Sequence, residues 1–170
     1  MRDEGIIKAW GIGVNTAEPI LKVIEDADPD VCLCARQYSL IDHEQAVQEV
    51  FPRVLEKNVA LVMGSALNAG FLSGSARYNY GEGNQDIPPE IVARRDRLRA
   101  VADRHGVDLR TAALQFSLAA EPAVALIVGM GSPEQVLQNY NAVHAAKVPT
   151  AFWQDLRDQG LVHADARTPS

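Results

Sequence analysis

The chain has 170 residues, of which 47% are hydrophobic, and a formal net charge of -6. That size and apolar content suit one compact domain or part of a larger one, and no apolar run approaches the ~20 residues of a membrane span. Lys and Arg are scattered rather than clustered, which argues against a nucleic-acid surface; the charged opening "MRDEGIIKAW" has no apolar signal-peptide core, so the cytoplasm is the expected compartment.

Taken in chain order, apolar runs alternate with amphipathic ones. "IIKAWGIG" reads as a short strand ending in glycines, and "TAEPILKVIEDAD" as a helix with Ile20, Val23, Ile24 and Ala27 at helical spacing and Thr16 as N-cap. "VCLCARQ" is the second strand, announced by Pro29. Its Cys32 and Cys34 share one face and read as buried small hydrophobes rather than half of a metal site. "DHEQAVQEVFPRVLEKN" carries Ala46, Val47, Val50, Val54 and Leu55 on one face, with Asp42 as N-cap and a kink at Pro52. "VALVMG" is the third strand.

A polar loop follows from Ser73 to Pro89, long enough to be a lid or disordered. Helices are expected over about 90–105 and 109–120, the second capped by Asp108. "VALIVG" is the fourth strand and "SPEQVLQNYNAVHAA" its helix. A short helix, "TAFWQDLRDQG", leads to a tail, 163–170, expected to be disordered beyond a single domain over 1–162. His43, His105, His144 and His163 show no metal-ligand spacing and are expected on the surface.

Strands of four to six apolar residues alternating with helices imply a parallel sheet buried on both faces. An open doubly wound sheet and part of a (β/α)8 barrel both satisfy the pattern, and both place ligands at the carboxyl ends of the strands. There the chain puts "GIGVN", "ARQYS", "GSALNAG" and "GMGSPEQ". The last is the best-defined site. Ser132 is an N-cap, Pro133 fits the first helical position and Gln135 completes a capping box, while Gly129 and Gly131 admit close backbone approach. Free amides and the helix dipole would favour a phosphate there; an ordinary capped helix is the alternative.

"GIGVNT" fails as a dinucleotide fingerprint because Thr16 stands where a third glycine belongs. No nucleophile elbow, P-loop, H-E-x-x-H or EF-hand loop occurs. Tyr38, Tyr78 and Tyr80 read as packing residues.

With these strand ends in view, the chain resembles the aldo-keto reductases, most of all the branch that includes aldose 1-dehydrogenases, L-fucose dehydrogenase and pyridoxal dehydrogenase. "IIKAWGIGVN", "GSALNAGFLSG", "LRTAALQFSLAAEPAVALIVGMGSPEQVLQN" and "FWQDLRDQGLV" stand in the family's order and spacing. The resemblance implies the second half, strands five to eight, of a (β/α)8 TIM barrel that binds NADP or NAD in extended form. The complete enzyme would oxidise a sugar or reduce a small aldehyde. On this alignment Gly129, Met130, Gly131, Gln135, Gln138 and Asn139 hold the adenosine side of the cofactor. Ser65, Leu67 and Gly70 wrap the pyrophosphate, and Asn15 holds the nicotinamide amide.

Four positions depart from the family pattern. Gly64 replaces a frequent aromatic residue that stacks on nicotinamide, Ala35 a glutamine, Gly131 a basic residue and Gln135 an arginine near the 2′-phosphate. A neutral Gln135 weakens the case for NADP over NAD. The family's proton-donating Tyr and its Asp, Lys and His partners belong to the first four strands, to which nothing here corresponds; "MRDEG" is similar to the tail of the fourth helix. Without that tetrad the chain lacks a general acid. Half a barrel also leaves two open edges, which a second copy or the missing half would close. A non-catalytic half-barrel that binds nucleotide weakly or acts through oligomerisation is the alternative reading.

Overall fold

The computed structural model describes residues 1–79 and 87–169. Four parallel strands, β1 (Gly11–Val14), β2 (Val31–Ala35), β3 (Ala60–Gly64) and β4 (Ala123–Ile127), form one sheet in the order β1-β2-β3-β4. The register runs from Gly11 beside Val31, through Val31 beside Ala60, to Leu61 beside Ala123, with an irregularity at Leu61/Val62. The α-helices are α1 (Ala17–Asp26), α2 (Phe51–Glu56), α3 (Pro89–His105), α4 (Leu109–Leu118), α5 (Pro133–His144) and α6 (Thr150–Asp158), with a short 3-10 turn at Phe71–Ser73.

The first strand is shorter than its apolar run. Arg2 donates to Asp30 at 2.9 Å and pairs with Asp28, and the Trp10 amide donates to Asp30 Oδ2 at 2.8 Å. These bonds hold the preceding segment as irregular chain, so pairing with β2 starts only at Gly11. A Cβ on Gly11 would lie 1.5 Å from the Val31 carbonyl oxygen, so only glycine fits there.

Burial alternates along the two central strands. Cys32, Cys34, Leu61 and Met63 are fully buried, whereas Val31, Leu33, Ala60 and Val62 are only half-buried. One face is thus sealed and the other is partly open, which corrects the expectation of a sheet buried on both faces. The sealed face is apolar: the two free thiols sit in it as hydrophobes, and burial pushes the Cys34 thiol up to about 12. Among the described residues β1 and β4 each pair on one side only, and Val124 and Ile127 of β4 stand exposed.

Ahead of α2 the chain makes a π-helical turn over Ala46–Val50, in which the Phe51 amide reaches back to the Ala46 carbonyl. Pro52 lacks an amide proton and its ring crowds the carbonyl four residues back, so the widened turn is where its distortion is absorbed. The turn still buries Ala46, Val47 and Val50, and α2 buries Val54, while Leu55 is exposed. Asp42 does not cap this helix; its carboxylate accepts from the Tyr78 hydroxyl at 2.6 Å and from Asn68 Nδ2 at 3.3 Å.

Behind the sheet, Tyr38 stacks on Phe116 with ring centroids 4.7 Å apart, and Phe116 on Trp153 of α6 at 6.0 Å. His43, expected on the surface, is 1% exposed and edge-on to Phe116 at 5.3 Å. It is satisfied by backbone: the His163 amide donates to Nε2 at 3.0 Å, so the proton is on Nδ1 and is donated to the Ser39 carbonyl at 2.9 Å. The segment after α6, expected to be disordered from 163, packs through 169. Ala166 is buried, and Arg157 donates to the Ala166 carbonyl at 3.0 Å and to Thr168 Oγ1 at 3.1 Å. Tyr80 and much of the long loop lie outside the described residues. Among those described, no helix is long and apolar enough to cross a membrane.

Candidate functional site

The carboxyl ends of β3 and β4 open into a cavity of about 850 Å³. Its floor is the open face of the sheet, at Leu33, Ala35, Gly64 and Ile127. Nine residues singled out from the sequence line it: Ser65, Leu67, Gly70, Gly129, Met130, Gly131, Gln135, Gln138 and Asn139. Asn15 is not among them; it borders a separate hollow at the ends of β1 and β2, where its carbonyl accepts from Gln37 Nε2 at 2.8 Å.

One wall is the turn after β3. Ser65, Asn68, Ala69 and Gly70 all take left-handed backbone, with φ of 63, 47, 58 and 88°. Three consecutive left-handed residues, two of them with side chains, are costly in a free chain, so this strain marks a conformation that the fold imposes at a strand end. Bonds from Asn68 N to Ser65 O and from Gly70 N to Leu67 O, both 2.9 Å, close the turn. At Gly70 a Cβ would lie 3.1 Å from that of Ser75, so the position needs glycine twice over. The hydroxyl-bearing Ser65, Ser73 and Ser75 face the same cavity.

The opposite wall is the start of α5. Ser132 Oγ accepts from the Gln135 amide at 3.3 Å, as the capping pattern required. The return bond differs from the expected box, because Gln135 Oε1 accepts from the Gly131 amide at 2.7 Å instead of that of Ser132. The Glu134 carboxyl is held below its ordinary value by its own backbone amide and by the Ser132 hydroxyl. The amides expected to be free are therefore engaged by the chain's own side chains, and an incoming anion must displace the carboxamide of Gln135 and face the Glu134 carboxylate.

Two cations line this cavity that sequence reasoning missed, Arg77 and Arg110. Arg110 lies in the first turn of α4, whose cap is Asp108, accepting from the Thr111 amide at 2.9 Å. Its guanidinium donates to Gln138 Oε1 across to α5. The missed signal was topological. A helix leading into a parallel strand runs antiparallel to it, so its first turn lies at the end where the strands finish. Hydroxyls and two guanidinium groups around one open, partly apolar hollow are a donor set suited to a phosphorylated nucleotide.

The fold and this cavity define an α/β chain with a ligand site at its strand ends, and sequence comparison names the class. Residues 1–159 match the Aldo/keto reductase family. The chain is 36% identical over 166 residues to pyridoxal 4-dehydrogenase of Microbacterium luteolum, covering 95% of this chain and 47% of that protein. It is 33% identical over 168 residues to D-threo-aldose 1-dehydrogenase of a Pseudomonas species, covering 95% and 49%. The holo form of an aldo-keto reductase from Bacillus halodurans superposes with a TM-score of 0.69 at 26% identity, over 96% of this chain and 53% of that one. The glycerol dehydrogenase of Gluconobacter oxydans shares the fold, with a TM-score of 0.66 at 18% identity over 99% of this chain and 53% of that one. The chain belongs to the aldo/keto reductase family, and it spans about half the length of the curated relatives it matches.

Proposed function

We propose that this chain is the cofactor-binding, C-terminal half of an NAD(P)-dependent aldo-keto reductase, its β1–β4 corresponding to strands five to eight of a (β/α)8 barrel. The carrying observation is the single cavity that joins the strained turn after β3 to the start of α5. In this reading Ser65, Leu67 and Gly70 take the pyrophosphate, assisted by Arg77 and Arg110. Gly129, Met130, Gly131, Gln135, Gln138 and Asn139 take the adenosine side. Asn15, placed at the far end of the sheet, suits the nicotinamide end of an extended dinucleotide. The bound cofactor supplies or accepts hydride, and this chain's residues bind and orient it. With Gln135 neutral and Glu134 beside it, NAD is the better fit to the start of α5.

The acid that protonates the carbonyl oxygen comes from strands that this segment does not carry, and those strands would also pair with β1 and β4 and cover the open face of the sheet. The substrate of the complete barrel is a sugar or small aldehyde. Co-expression with the amino-terminal half of the Pseudomonas relative tests this reading. Aldose-dependent nicotinamide reduction should appear with both halves together and stay at background with either alone. Equal turnover by this chain alone would overturn the division of labour.

A second reading rests on the exposed Val124 and Ile127 at the β4 edge: a non-catalytic half-barrel that closes against a second copy and binds nucleotide weakly. Sedimentation of the chain alone distinguishes them, a tight dimer without activity favouring the second.

A further inference from the structure

Asp42 is not among the residues that line the large cavity, yet its carboxylate joins two segments that are. Oδ2 accepts from Asn68 Nδ2 at 3.3 Å, on the strained turn after β3. It also accepts from the Tyr78 hydroxyl at 2.6 Å, at the far end of the segment that brings Ser75 and Arg77 to the cavity. Asp42 is itself fixed at the end of β2. Its amide donates to Ser39 Oγ at 3.1 Å, its carbonyl accepts from the Ser39 amide at 2.7 Å, and Ser39 is fully buried. An oxygen held this firmly sets the position of whatever bonds to it.

The Asn68 side chain is turned to serve this carboxylate. Its Nδ2 donates to Asn79 Oδ1 at 3.2 Å as well as to Asp42, while its own buried Oδ1 has no partner among the described residues. Turning the carboxamide over would set its oxygen against the Asp42 carboxylate and the Asn79 oxygen, three acceptors facing one another without a donor. The two acceptors therefore fix the orientation, and the orphaned oxygen is the consequence. Asn79 is bound a second time, its amide donating to the Asn68 carbonyl at 3.2 Å. Both asparagines take left-handed backbone, with φ of 47 and 54°, which asparagine tolerates better than most residues. Tyr78 is seated by its ring too. It lies edge-on to buried Phe71 at 5.4 Å, and the Arg95 guanidinium is 4.3 Å from the Phe71 centroid.

The segment from Ser75 to Asn79 is thus pinned at both ends. At its start the Ser75 amide donates to the Gly70 carbonyl at 2.9 Å. At its end Tyr78 and Asn79 are held by Asp42 and Asn68. Only Ala76 and Arg77 lie between, and the Arg77 amide adds a bond to Ser75 Oγ at 3.0 Å. So short a span leaves the backbone of Arg77 little room while both anchors hold. The inner anchor belongs to the β3 turn itself, whereas the outer one depends on Asp42. Without it, residues 76–79 have other conformations to visit. A ligand that needs Ser75 and Arg77 in place then binds more weakly, in proportion to the fraction of chains that present them.

We propose that Asp42 is a positioning residue for the nucleotide: through Tyr78 and Asn68 it holds residues 75–79 so that Ser75 and Arg77 stand at the phosphates, without itself touching the ligand. The identity of that ligand rests on the cofactor reading above; the hold on the segment does not.

The test combines titration of the full chain with NADH and amide hydrogen exchange of the chain alone. Tyr78→Phe removes the hydroxyl and keeps the ring on Phe71, Asp42→Ala removes the acceptor, and Asp42→Asn retains one. Tyr78→Phe and Asp42→Ala are each expected to weaken NADH by about tenfold, the equivalent of one charge-assisted bond. Asp42→Asn should restore most of that affinity. In a chain already carrying Ser75→Ala and Arg77→Ala, Asp42→Ala should weaken NADH by no more than about a further twofold, because nothing remains for it to position. In the chain alone, Asp42→Ala should speed exchange of the Asn79 amide by about tenfold. Unchanged NADH affinity in Tyr78→Phe and Asp42→Ala would overturn the role while leaving the cofactor reading in place. So would the full tenfold loss persisting in the Ser75→Ala, Arg77→Ala chain, which is what a general weakening of the fold would produce. If the unmodified chain binds no NADH, the cofactor reading fails and exchange at Asn79 decides alone: faster exchange in Asp42→Ala upholds the hold on the segment, and unchanged exchange overturns it.

Discussion

Acid should destabilise this protein through His43. Its ring is 1% exposed, and burial, partly offset by the Glu44 carboxylate and reinforced by Arg94, lowers its pKa from the usual 6.5 to about 4. The folded state needs the ring neutral, because Nε2 must accept from the His163 amide while Nδ1 donates to the Ser39 carbonyl. A depressed histidine pKa means that the unfolded chain binds the proton more tightly. The contribution is therefore fully present above pH 6.5 and is lost as pH falls from 6.5 towards 4. At about 1.4 kcal/mol per tenfold difference in proton affinity, the loss is about 3 kcal/mol, a large fraction of the 5–15 kcal/mol typical of a domain. Urea unfolding followed by circular dichroism, at steps from about pH 7 down to pH 4, measures it. His43→Gln should be less stable at neutral pH, since it forfeits ring packing and one backbone partner. Its stability should nonetheless fall with acid by about 3 kcal/mol less than that of the unmodified chain. Parallel pH profiles would show that His43 does not carry the acid response and that the assigned tautomer network is wrong.

Gly70→Ala should lower the Tm by several degrees, because φ of 88° and a 3.1 Å approach to Ser75 both oppose a methyl group, a cost above about 1 kcal/mol; calorimetry checks it. Arg110→Ala should leave the Tm within a degree or two but weaken nucleotide binding by about tenfold in isothermal titration, as expected for loss of one charge-assisted bond. Trp153→Ala should cost about 3–5 kcal/mol in urea unfolding, since the indole is fully buried between Phe116 and Phe152.

Much of the architecture was legible because its signals are local. Apolar runs at 31–35, 60–64 and 123–127 place the strands, and the small and glycine residues after the last two mark the ligand end of the sheet. Asp108 and Ser132 cap the helices that follow them because an N-cap is a three-residue affair. What escaped depends on residues distant in sequence. His43 looks like a surface residue until the His163 amide, 120 positions away, supplies its partner. Asp42 precedes a helix and reads as its cap, yet Tyr78 and Asn68 claim its carboxylate. Arg110 reads as an ordinary helical arginine until the antiparallel course of α4 brings its first turn to the strand ends. The last residues are polar and read as loose, but Ala166 is small enough to enter the core once Arg157 binds the turn around it. Gly129, Gly131 and Gln135 stood out by local pattern, which left a plain capped helix as the stronger reading; the other six cavity residues were found by family resemblance.

The central claim is that the hollow between the β3 turn and the start of α5 holds a nicotinamide dinucleotide. A map of amide shifts on titration with NADH tests it most directly. Saturable shifts clustered at 65–75, 110 and 129–139, reproduced by the adenosine diphosphate fragment alone at the last of these segments, are the predicted result. No saturable response there at millimolar NADH, or a response confined to other surfaces, would contradict it.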